Sequence, residues 1–67
     1  MTNNDLRAAL ETKEGQRAYS AAIGTAQAEG IRAYRKALAK TSAVKAREIG
    51  EAAKNATLLA LMQKAGA

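Results

Sequence analysis

Residues 14–23 read EGQRAYSAAI and residues 29–38 read EGIRAYRKAL. Glu, Gly, Arg, Ala, Tyr and a later Ala return in place after fifteen residues, and Ile23 is answered by Leu38. A third copy beginning at Val44 keeps only Arg47 and Ala52, with Ile49 where the tyrosine stood. Two full copies and a remnant are the pattern left by duplication of a short helical unit. Selection for similar packing in an alanine-rich chain leaves the same trace.

The residues around the repeat are helix formers. Proline is absent, β-branched residues are few, and Ala, Leu, Lys, Arg, Glu and Gln dominate. Thr2, Asn3 or Asn4 can cap a first helix, with Asp5 in its first turn, where a negative charge meets the positive end of the helix dipole. Arg7–Glu11 and Arg47–Glu51 stand four apart, and Glu14–Arg17, Glu29–Arg32 and Glu51–Lys54 stand three apart, as supporting ion pairs on one helix do. No stretch alternates with period two. The best break is Thr41-Ser42, where either hydroxyl can cap a second helix, although Lys45 follows and completes no capping box.

Gly15 and Gly30 each follow a glutamate, a poor neighbour for the negative end of a helix. They are therefore read as points of close approach inside a helix rather than as helix ends. Ala18, Ala22, Ala26 and Gly30 then form a ladder of small residues at i,i+4 spacing, where a second backbone can come near. At about 100° per residue, Tyr19, Ile23, Ile31, Tyr34 and Leu38 fall within one arc and are expected to form the apolar stripe. Leu6 and Leu10 are rotated away from it, so the first turns either bend or serve another contact. Leu58, Leu59, Leu61 and Met62 surround Ala60 with no polar side, and are expected at a chain–chain interface.

Composition sets the limits of this architecture. Of 67 residues, 18 are alanine, so the hydrophobic fraction of 48% contains only fourteen larger apolar residues, Met1 among them. Chains this small commonly rely on a disulfide, a metal or a partner. Cysteine and histidine are both missing, which leaves association. The expected fold is all-α, a single unit spanning 1–67, built as an elongated helical hairpin or short bundle and completed by other chains. Tyr19, Ala22, Ile23, Ala26, Ile31, Tyr34, Leu38, Leu58, Leu59, Leu61 and Met62 are the candidate partner contacts.

The same composition disfavours catalysis. Ser20, Ser42, the threonines and the two tyrosines have no histidine to activate them. Glu11 with Glu14, or Glu48 with Glu51, lie three apart and could touch a hard cation, but such pairs are usually solvated surface charges. No phosphate loop or metal motif is present, so no catalytic residue, cofactor or metal is expected. No apolar run approaches the length of a membrane span, and Asn3, Asn4 and Asp5 occupy the place of a signal peptide's basic and apolar regions. An intracellular location, or one within a virion, is expected.

Charge is unevenly spread. Residues 1–30 carry net −1, residues 48–67 net zero, and residues 31–47 net +6 through Arg32, Arg35, Lys36, Lys40, Lys45 and Arg47 with no acid among them. Arg32, Lys36 and Lys40 recur at helical spacing opposite the apolar stripe. Such a cluster suits phosphates, an acidic protein surface, or plain solvation. Tyr19 and Tyr34 suit packing better than base stacking, because both belong to the stripe. The leading functional expectation is a non-enzymatic structural or assembly protein, a helical subunit of a homo-oligomer or larger complex, with a phage virion as one setting. The second is nonspecific nucleic-acid binding by segment 31–47. The third is a small regulator that binds a partner protein.

Overall fold

The computed structural model describes residues 1–66, which form three helices and, among the described residues, no strand. Helix α1 spans Asn3–Ala9, α2 spans Lys13–Leu38 and α3 spans Ala43–Lys64. Helices α2 and α3 pack along their length as an antiparallel hairpin, and α1 folds back across the open end.

Each helix start has a hydroxyl to explain it. Thr2 caps α1: its Oγ1 accepts from the Asp5 amide at 3.2 Å, and the Asp5 carboxylate accepts from the Thr2 amide at 2.9 Å. This reciprocal box satisfies two backbone donors that the helix itself cannot. Hydrogen bonding by Thr2, its backbone amide first, holds the Asp5 carboxyl below its ordinary value of 3.8. Thr12 caps α2, and its single hydroxyl joins two helices: Oγ1 accepts from the Gly15 amide at 3.0 Å and donates to the Ala9 carbonyl at 2.9 Å. Ser42 caps α3, accepting from the Lys45 amide at 3.3 Å.

The chain therefore turns at Leu10–Thr12, a break that periodicity showed only as the misplaced phase of Leu6 and Leu10. The turn returns Leu6 and Ala9 to the core formed by α2 and α3. Asn55 Nδ2 donates to Asn3 Oδ1 at 3.3 Å, and the Met1 ammonium donates to Gln63 Oε1 at 2.6 Å. Gly15, in the first turn of α2, is buried against the Ala9 carbonyl, where a Cβ would collide with the oxygen.

Small residues form the seam between α2 and α3. Ala22, Ala26, Gly30 and Ala37 are buried on α2, and Ala46 and Gly50 on α3. Where the helices cross, a Cβ on Gly30 would stand 3.0 Å from the Gly50 carbonyl oxygen and 2.9 Å from Lys54 Cβ. Towards the open end the seam widens, and Leu58 and Met62 fill it against Ala22 and Ala26.

The stripe of Tyr19, Ile23, Ile31, Tyr34 and Leu38 lies beside the seam of this hairpin rather than in it. Helices joined by the short link 39–42 approach through their smallest side chains, which pushes the larger ones to the flank. Ile31, five residues or about 140° beyond Ala26, is 53% exposed, and Leu38 is 41% exposed. Tyr19, Ile23 and Tyr34 are half-buried. One expectation is corrected: Leu58 and Met62 face the chain's own core instead of a partner, because α3 folds back antiparallel onto α2, and Ala22 and Ala26 make the close helix–helix contact expected of their ladder within this same chain. Leu61 packs against that core and Leu59 is half-buried.

The two repeat copies share a burial pattern within α2. Gly15 and Gly30 are both buried against a carbonyl of another helix, Ala22 and Ala37 are both buried, and Tyr19 and Tyr34 are both half-buried. Ile23 and Leu38 differ. α1 lies over the first copy, and Ile23 packs against the core beneath it, whereas the second copy has no such cover.

Candidate interaction surface at the hairpin tip

The short link between α2 and α3 turns a linear basic segment into one end of an elongated molecule, 39 × 19 × 15 Å. Arg32, Arg35 and Lys36 come from the last turns of α2, Lys40 from the link, and Lys45 and Arg47 from the first turns of α3. All six are exposed. Arg32 Nη1 pairs with Glu29 Oε1 at 2.8 Å, and Lys54 Nζ pairs with Glu51 Oε2 at 3.3 Å. Among the described residues, the other five cations of the tip make no ion pair.

The six cations come from two helices and the link between them. Arg32 and Lys36 share a row of α2. Lys40 follows in the link, just past the C-cap Ala39, where the Lys40 and Thr41 amides both still donate to the Ala37 carbonyl. Arg47 is not on that row, since the helix does not continue past Ser42. It borders a groove whose floor is the Gly30–Gly50 crossing and whose other sides are Gln27, Ile31, Tyr34, Glu51 and Lys54. Arg32 lies about 100° round α2 from Ile31, so the cations occupy at least two flanks.

Apolar surface lies among these charges. Ile31 and Leu38 of α2 and Val44 and Ile49 of α3 are exposed, Val44 at 71% and Ile49 at 45%. Each belongs to the tip half of the hairpin. The α3 contribution was missed in sequence: Gly50 pairs with Gly30, and its signal was the Ala46–Gly50 spacing of four, the same small-residue step as Ala26–Gly30. Among the described residues, no group of three His, Cys, Asp or Glu is placed to hold a metal, and no helix is long and apolar enough to cross a membrane.

Comparison with protein-family models, with curated protein sequences and with solved structures finds no match to this chain. Any functional reading therefore rests on the surface itself.

Proposed function

We propose that the protein is a non-enzymatic helical assembly protein, a subunit that completes its packing against further copies of itself or against another chain. The observation that carries this reading is how little of its apolar inventory is used internally. Of the large apolar side chains, only Leu58 and Met62 are buried, whereas Ile31, Leu38, Val44 and Ile49 are exposed. An accessible surface of 4807 Å² also exceeds the roughly 4,000 Å² usual for a compact 7.0 kDa monomer. The radius of gyration of 13.0 Å compares with about 11 Å for a compact chain of this length.

Sedimentation equilibrium combined with circular dichroism over a wide concentration range tests the reading. Self-association, or helicity that rises with concentration or with an added partner, is expected. Ile31→Asp with Leu38→Asp should weaken association while leaving the hairpin helical, because both side chains already face solvent. A cooperatively folded monomer with concentration-independent stability and no partner would overturn it.

A further inference from the structure

We propose that the hairpin tip binds the phosphate backbone of duplex nucleic acid without reading its sequence. The proposal goes beyond the assembly reading and does not depend on it. Its basis is the juxtaposition created by the turn: cations of α2, the link and α3 gather at one end, and no acid occurs between Ile31 and Arg47. Exposed cations without ion-pair partners lose little on meeting phosphates, since they have no protein contact to break. Arg32 alone of the six is engaged, with Glu29.

The distribution of the cations favours a duplex. The tip brings cations from two separate helices and the link between them to one end of the molecule, and the phosphates on either side of a major groove stand about 12 Å apart. Lys36 on one flank and Arg47 on the groove side can then reach phosphates of opposite strands. Single-stranded binders add exposed aromatic rings for base stacking. Here Tyr34, the tyrosine of this half, is half-buried, and its Cβ lies 3.0 Å from where a Gly50 Cβ would stand. Membrane-surface helices carry Trp, Phe or Leu on their apolar side; this chain has no Trp or Phe and is rich in alanine instead.

Sequence readout would need side chains fixed against base edges. The tip offers flexible lysines and arginines, which position a protein on phosphates but do not select bases. Placement on α3 also matters. Lys45 stands in the first turn of α3, at the positive end of the helix dipole and with no acid in that turn, a like-charge arrangement that nearby phosphates would relieve.

The test is fluorescence anisotropy of labelled duplexes of two unrelated sequences, titrated with the whole 67-residue chain. Four or five phosphate contacts give a log–log salt slope of about −4, so affinity should fall roughly 250-fold between about 50 and 200 mM salt. Both duplexes should bind equally. Reversing the tip by Lys36→Glu, Lys40→Glu and Arg47→Glu should abolish binding with the helical signal retained. Should that variant unfold, the corresponding Gln substitutions replace it and should still weaken binding steeply. Reversing the opposite end by Lys13→Glu, Arg17→Glu and Lys64→Glu changes net charge equally and should retain most of the affinity. The proposal is overturned by absence of binding at the lower salt, by equal losses from the two reversals, or by tighter binding to anionic phospholipid vesicles than to DNA. Sedimentation of the same variants reports assembly separately, so loss of DNA binding with unchanged association leaves the assembly reading standing.

Discussion

Gly30 and Gly50 face each other across the α2–α3 crossing so closely that a Cβ on either would stand 2.9–3.0 Å from the other's carbonyl oxygen. Backbone on both sides leaves nothing flexible to move aside. Alanine ordinarily gains about 1 kcal/mol over glycine inside a helix. Here overpacking of about 1–3 kcal/mol opposes that gain. Gly30→Ala and Gly50→Ala should therefore each destabilise the hairpin, whereas Gly24→Ala, with nothing within 4 Å of its added methyl, should stabilise it by about 0.5–1 kcal/mol. Thermal melts of the three variants check the contrast, and a stabilising Gly30→Ala would mean that the helices stand further apart in solution.

Met62 is the one large side chain with no exposure. Truncation to Ala should cost about 2–5 kcal/mol, because Ala22 and Ala26 are too short to close the cavity. Leu at the same place nearly conserves volume and should cost less than about 1.5 kcal/mol. Urea titration of both variants measures the difference.

Thr12 links the end of α1 to the start of α2 through one hydroxyl. Replacing it by Ala removes the cap and should cost about 1–2 kcal/mol. Serine keeps the oxygen and should recover most of that loss. Amide exchange at Gly15, whose N–H donates to Thr12 Oγ1, is the direct readout: it should quicken in Thr12→Ala and stay slow in Thr12→Ser.

Asp5 gives α1 a pH dependence. Its carboxylate accepts from the Thr2 amide, so its folded pKa lies below 3.8. The unfolded form then binds its proton first as pH falls, and the support that Asp5 gives α1 is complete above the unfolded pKa. It disappears as pH drops through the lowered folded value. An NMR titration should place the Asp5 midpoint below 3.8, and Asp5→Asn should remove this part of the acid response. A midpoint at or above the ordinary value would show that the capping box is not formed.

Much of the local structure was legible in particular residues. The glutamates before Gly15 and Gly30 argued for close approach, and both glycines pack against a carbonyl of another helix. Of the three residues offered as the first cap Thr2 serves, and of the Thr41-Ser42 hydroxyls Ser42 serves, at the start of α3. Thr12 escaped notice because its role depends on the Ala9 carbonyl, brought within reach only when α1 turns back.

The sequence by itself determined that the chain is helical, since propensity, capping hydroxyls and the absence of proline all act within a few residues of one another. Tertiary structure decided which side of each helix faces inward. A helical wheel ranks faces by apolar content and selects the stripe of Tyr19 to Leu38. The small-residue ladder of Ala22, Ala26 and Gly30 was legible beside it, and the antiparallel partner, whose backbone must come near, selects that ladder over the stripe as the seam. That choice sends Leu58 and Met62 into the chain's own core and leaves Ile31 and Leu38 in solvent. It also gathers Arg32 through Arg47 around one end, because a turn converts separation along the chain into proximity in space.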